Sequence, residues 1–225
     1  MLINHQLILL ITEWIGAISF AVSGSLVAIR HDLDLFGVIT VGLITACGGG
    51  VMRDLMLGNI PPKIFSKPHI IIAAMTVSLL IFACAYIYRK KFKRFSRRVD
   101  KVNILFGAFG IAAFSIAGIE NAYLASLQNN HFLVIFMGVI SSVGGGVLRD
   151  VLVNEKPYIF TKHVYAVVAV LGCALYHFMN LYVNNVLLAT VCVMVFVVTG
   201  RILAATFHLQ LPKVEFDHEG NKIEQ

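Results

Sequence analysis

Residues Phe36–Leu57 read FGVITVGLITACGGGVMRDLML, and residues Phe132–Val153 read FLVIFMGVISSVGGGVLRDVLV. Aligned without gaps, the two stretches agree at eleven of twenty-two positions and share Gly-Gly-Gly-Val-x-Arg-Asp. The match extends on both sides. After a one-residue gap, Lys63-Ile-Phe-Ser-Lys67 pairs with Tyr158-Ile-Phe-Thr-Lys162. Upstream, Phe20-Ala-Val-Ser-Gly24 pairs with Phe114-Ser-Ile-Ala-Gly118. The chain is an internal duplication.

Each copy sits among long apolar runs. Hydrophobic residues make up 58% of the 225 residues and charged residues 13%, against about 25% charged in a soluble domain. A bilayer span needs roughly 20 mostly apolar residues. Seven runs meet that test, approximately Leu7–Ile29, Phe36–Leu57, Ile70–Tyr88, Val102–Leu127, Phe132–Val153, Val164–Tyr182 and Val186–Phe207. The first lacks a basic leader and is interrupted by Glu13 and Trp14, so it reads as a retained span rather than a signal peptide. The expected fold is an all-α membrane protein with seven transmembrane helices. Residues 1–88 form the first three-helix repeat, 89–101 a basic loop and 102–182 the second repeat. Residues 183–207 form a seventh helix and 208–225 a polar tail.

Three spans is an odd number, so the second copy enters the membrane upside down relative to the first. Inverted repeats of this kind recur in transport proteins. Seven spans also sort the basic residues. Fourteen fall on one side, eight of them in 89–101, and only Lys63 and Lys67 fall on the other. The basic side is expected to be cytoplasmic, with the N-terminus outside and the C-terminal tail inside. The net charge of +6 thus belongs to a loop beside anionic lipid, and nucleic acid is not expected as a partner. Membrane lipids are.

Three glycines inside a membrane helix require a reason, since each disfavours helix by roughly 1 kcal/mol against alanine. Close helix packing is one. The reading preferred from sequence is a broken helix at Gly48, Gly49, Gly50 and again at Gly144, Gly145, Gly146, whose freed backbone lines a wet cavity. Gly49 lies about 4 Å past the span's centre and Arg53 about 10 Å past it. In the inverted copy Arg149 lies as far toward the other face, so the arginines stand roughly 20 Å apart along the membrane normal. Direct pairing of Arg53 with Asp150 is therefore not expected, and each Arg-Asp pair, Arg53-Asp54 and Arg149-Asp150, should serve its own half of the membrane. Two arginines and two aspartates would cost about 10 kcal/mol if all faced lipid at mid-bilayer, so they should face protein or water. They could gate a pathway or cap carbonyls freed at the glycines.

Other embedded polar residues fall on the same helices. Glu120 is the deeper acid and the better pathway candidate, while Glu13 reads as interfacial. Ser23, Thr45, Ser115, Ser141 and Ser142 supply hydroxyls. The third and sixth spans carry few polar groups, which places the pathway among spans one, two, four and five. The four cysteines lie within spans and suit neither a disulfide nor a metal site. The histidines show no metal-ligand spacing. No catalytic constellation is present, and no cofactor is expected beyond a permeant ion and bound lipid.

The paired GGGVxRD motif, the span count and the inverted halves resemble the trimeric intracellular cation (TRIC) channel family, prokaryotic branch. The resemblance covers Leu7–Phe207 and includes Ser23-Gly24 and Gly118-Ile119-Glu120. It implies a homotrimer in a bacterial or archaeal plasma membrane. Each protomer would carry a potassium-permeable, monovalent-cation pathway lined by helices one, two, four and five, with kinks at the two glycine triplets. Eukaryotic members carry Lys-Glu-Gly-Gly where this chain has Ala46-Cys47-Gly48-Gly49, so their lipid-headgroup binding and voltage dependence do not carry over. Some bacterial relatives are described as glycine-transporter-domain proteins, which makes a secondary transporter of a small solute such as glycine the alternative. A non-conducting scaffold is the third possibility.

Overall fold

The computed structural model describes residues 2–88, 96–161, 164–183 and 185–207. Most of the basic 89–101 loop and the tail 208–225 lie outside the described residues. The described residues are helical and contain no strand. The long helices are α1 (Leu2–Arg30), α2 (Leu35–Met56), α3 (Pro68–Ile87), α4 (Ser96–Leu124), α5 (His131–Leu152), α6 (Val164–Tyr182) and α7 (Val186–Thr206). A 3-10 turn, Lys63–Ser66, connects α2 to α3, and a short helix, Tyr158–Thr161, connects α5 to α6. Six helices are long and apolar enough to cross a membrane, and α6 offers a shorter apolar stretch, Ala166–Tyr182.

Local sequence sets these ends. Asp34 caps α2 by accepting the Gly37 N–H at 2.8 Å. Asn130 caps α5 by accepting that of Leu133 at 3.1 Å, and Asn185 caps α7 through Leu188. Such side chains replace the partners that the first turn lacks. α2 leaves its helix through Gly58 at φ 74°, and α5 through Asn154 at φ 58°. At both exits an N–H five residues on closes the last turn: Asn59 N donates to the Asp54 carbonyl at 2.9 Å, and Glu155 N to that of Asp150 at 2.8 Å.

The boundary of the second unit differs from expectation. α4 begins at Ser96, so the end of the supposed basic loop is helical. Asp100 there pairs with Arg30 at the end of α1. Arg201, counted among the loop charges, is instead buried within α7.

α1 packs chiefly on α4, and α2 on α5. The most apolar stretches of α1 and α4 are 67% and 72% buried, against 22% and 28% for α3 and α7. The first pair is thus the centre of the bundle, and the second pair lies at its periphery with apolar side chains outward.

The glycine triplets do not break their helices. α2 is helical without interruption from Leu35 to Met56, and α5 from His131 to Leu152. The reason is visible where they cross. A Cβ on Gly49 would stand 2.2 Å from the Ser141 carbonyl oxygen, and one on Gly145 would stand 2.1 Å from that of Thr45. The triplets let two backbones touch, as small residues do between membrane helices. An opened helix would instead leave backbone groups unsatisfied at several kcal/mol each. The contacts exchange halves: Gly48 faces Leu148, and Gly144 faces Met52. The same reciprocity joins α1 to α4. The Phe20 ring lies on Gly110 and the Phe114 ring on Gly16, with the two ring centroids 5.3 Å apart.

Candidate functional site

Two buried charge clusters flank the α2–α5 crossing. In the first, Arg53 and Asp54 are 3% and 1% exposed. Arg53 donates from Nε and Nη2 to Asp54 Oδ1 at 3.0 and 2.8 Å, and from Nη1 to Ser141 Oγ at 3.3 Å. Asp54 Oδ2 accepts the backbone N–H of Lys63 at 2.9 Å. The second cluster repeats this. Arg149 Nε donates to Asp150 Oδ1 at 2.8 Å and Nη1 to Ser23 Oγ at 2.8 Å, while Asp150 Oδ2 accepts the N–H of Tyr158 at 2.9 Å.

Among the described residues the two arginines bond aspartate and serine side chains rather than carbonyls at the glycines. Each neutralises its own neighbouring aspartate, and that aspartate pins the connector returning from the helix end. An arginine near a helix C-terminus is also favoured by the helix dipole. Leaving a buried carboxylate unpaired would be far more costly than leaving an exposed one.

The clusters differ in their surroundings. Ser23 donates its O–H to Asn103 Oδ1 at 2.6 Å, and the Tyr158 ring centroid lies 5.4 Å from the Arg149 guanidinium carbon. The first cluster opens on a cavity of about 30 Å³, room for about two waters. Its polar wall is Glu13, Arg53, Asp54, Lys63 and Lys67, and its apolar floor includes Ala46, Cys47, Gly50 and Phe114. Lys67 Nζ pairs with Glu13, and Lys63 Nζ donates to Asn121 Oδ1 at 3.2 Å.

The cavity thus gathers Arg53, Asp54 and Gly50 of α2 from the expected residues, with Ala17 of α1 and Phe114 of α4 beside them. It also draws on the 63–66 connector and on Ile70 of α3. Glu13, Lys63, Lys67 and Asn121 were not foreseen. Lys63 and Lys67 were visible as the two basic residues on the sparse side, and Glu13 as an acid inside a span.

Glu120 lies elsewhere. It is 1% exposed, accepts the Tyr176 hydroxyl at 2.6 Å and bonds His5 Nδ1 at 2.7 Å. Beside it, His177 joins the Tyr123 hydroxyl and His131, each at 2.8 Å. This network ties α1, α4, α5 and α6 together and does not line the cavity. Thr45 and Ser142 bond carbonyls of their own helices, those of Val41 and Val139. Ser115 is buried beside Gly138, whose added Cβ would meet its carbonyl at 3.1 Å. Among the described residues, no cluster of three or more histidine, cysteine or acidic side chains could hold a metal ion.

Comparison with known proteins places this architecture. A family model described as glycine transporter matches twice, at residues 10–86 and 104–180. The UPF0126 inner membrane protein YadS of Escherichia coli is 34% identical over 209 residues, covering 92% of this chain and 96% of YadS. Among solved structures, a prokaryotic TRIC channel is 31% identical with a TM-score of 0.79, covering 92% of this chain and all of that one. A TRIC cation channel whose structure addresses conductance is 33% identical with a TM-score of 0.77, covering 92% and 97%. The chain is a multi-pass membrane protein and belongs to the prokaryotic branch of the trimeric intracellular cation channel family, whose sequence model carries the description glycine transporter.

Proposed function

We propose that this protein is a potassium-permeable, monovalent-cation channel. On this reading all seven long helices span the membrane as two inverted three-helix repeats plus α7. The protein assembles as a homotrimer among membrane lipids, with one pathway per protomer between α1, α2, α4 and α5. The N-terminus and the Arg53 cavity face outward, and the Arg149 cluster and the C-terminus face the cytoplasm. The glycine triplets sit at the middle of that pathway.

One observation carries the reading. A water-sized cavity walled by charged side chains reaches from the Arg53 cluster to Ala46 and Gly50 of α2, and it is also lined by Phe114, whose ring packs against Phe20 with centroids 5.3 Å apart. Charged groups inside a membrane bundle mark ion or substrate paths, and paired apolar rings are suited to close such a path by excluding water. The solved relatives are cation channels, which supports ion passage rather than catalysis.

The alternative, secondary transport of glycine, has its own support in the family description. Lys63 and Glu13 would face the two charges of a zwitterion. The cavity's size argues for an ion with a water instead, because room for about two waters is less than glycine needs. Purified protein in planar bilayers under asymmetric potassium chloride should give unitary currents that reverse near the potassium equilibrium potential. Saturable glycine counterflow in proteoliposomes without such currents would replace the channel with the transporter.

A further inference from the structure

We propose that Glu13 is a binding site for a monovalent cation at the mouth of the Arg53 cavity, and that the Lys67 ammonium is its tethered competitor; the proposal rests on the channel reading above. Glu13 is 7% exposed and lines the cavity. A carboxylate so buried requires a cation. Among the described residues its one ion-pair partner is Lys67, whose side chain is 31% exposed. That ammonium is a compact charge on a flexible stem. It matches a potassium ion in charge and approximately in size, so either can satisfy the same oxygens.

The other charges of the cavity are committed. Asp54 holds Arg53 through one oxygen and the Lys63 N–H through the other. Lys63 is held by Asn121, which is itself anchored to the Ala117 carbonyl at 2.9 Å. Lys67 differs in where it is attached. It sits on the connector, between the 3-10 turn and Pro68, while Glu13 is on α1. Next to the pair, Trp14 stacks on His69 with ring centroids 5.6 Å apart. That stack and the packing of α1 on α3 hold the start of α3 independently of the Lys67–Glu13 pair, so the Lys67 stem can swing away without the connector moving.

Glu13 has no counterpart in the second half. With Phe20 aligned to Phe114 and Gly16 to Gly110, Glu13 falls opposite Gly107. An added Cβ at Gly107 would find only Ser23 Oγ, at 3.9 Å. The duplicated frame therefore carries the Glu13 carboxylate in its first half and a glycine at the equivalent position of its second.

The test titrates potassium against N-methylglucamine at constant ionic strength and reads the thermal unfolding midpoint of the detergent-solubilised full chain. K67Q should reach half-saturation at roughly tenfold lower potassium than wild type. The K67Q/E13Q double variant should show no potassium-specific shift. A K67Q curve that overlays wild type, or a shift retained in the double variant, overturns the proposal. Should K67Q fail to fold, E13Q alone decides: loss of the wild-type potassium shift is expected, and its retention overturns the site. Bilayer currents separate the two readings. Potassium binding by K67Q without wild-type current removes the channel and leaves the site. Current without the binding shift removes the site and leaves the channel.

Discussion

Gly49→Ala is the sharpest probe of how the α2–α5 crossing is built. The new Cβ would sit 2.2 Å from the Ser141 carbonyl oxygen, where ordinary contact begins at 3.4 Å. The obstacle is backbone, so no rotamer change relieves it, and the helices must part by about 1 Å. Overpacking of this kind costs typically about 1–3 kcal/mol, while alanine returns roughly 1 kcal/mol of helix propensity. Parting the helices also loosens the Arg53–Ser141 bond, which spans the same crossing. The expected net loss is about 2 kcal/mol. Gly50→Ala, the next residue, is the control. Its nearest neighbour would be Arg53 Nη2 at 3.7 Å, so it should be neutral or gain up to about 1 kcal/mol. Thermal unfolding followed by a thiol-reactive dye suits the assay in a background with Cys47, Cys84 and Cys192 replaced by serine, where the buried Cys173 alone reports unfolding. Gly145→Ala should behave like Gly49→Ala. Gly48→Ala and Gly144→Ala should cost less, since they meet the mobile ends of Leu148 and Met52. Equal destabilisation by Gly49→Ala and Gly50→Ala would refute the crossing and restore the hinge, because a hinge has no reason to distinguish adjacent glycines.

The charge clusters and networks give further tests. Arg53→Ala and Arg149→Ala each strand a buried carboxylate, and each should cost about 3–5 kcal/mol. Pairing Arg53→Gln with Asp54→Asn should recover part of the loss in the same unfolding assay, and a double variant as unstable as Arg53→Ala would show that the pair's charge is not the cause. Tyr176→Phe removes one of the two partners of the Glu120 carboxylate and should destabilise by about 1–3 kcal/mol with bilayer currents unchanged. A selective loss of current would return Glu120 to the pathway. Phe20→Ala with Phe114→Ala should raise the resting potassium leak, and unchanged leak in a folded double variant would remove these rings as the closure. Asp34→Ala removes the α2 cap and should cost about 1 kcal/mol, read as a lower unfolding midpoint.

Much of this was legible because bilayer physics is strict. Run length gives the helices, and the repeated motif gives two equivalent units. A buried Arg beside a buried Asp has few ways to be satisfied. Continuity through the glycines was not legible, because glycine's helix cost and its value at a crossing leave the same mark in one sequence. Only the facing backbone of Ser141 or Thr45 decides. The partners of Glu120 were not legible for a related reason. α4 is apolar over most of its circumference, so periodicity does not say which face meets α1, α5 or α6. Glu13 was underrated because Trp14 beside it suggested an interfacial position. Its partner Lys67, 54 residues away, belongs to a connector that turns back into the bundle, which local sequence does not announce.

The reciprocity of the α2–α5 crossing has a consequence for how such a chain could arise and change. Residue 49 meets 141 as 145 meets 45, which is the geometry of an isologous contact between two like subunits. A half-length protein could make that contact with a second copy of itself. In such an ancestor, every mutation at the seam would strike both faces at once, so only changes tolerable in duplicate would survive. Joining the copies in one polypeptide replaces dilution with a high effective concentration and lets each face mutate alone. Glu13 opposite Gly107 and Tyr158 opposite Lys63 are differences that a symmetric pair could not have held. Fusion thus preserved the seam while releasing the two ends to specialise.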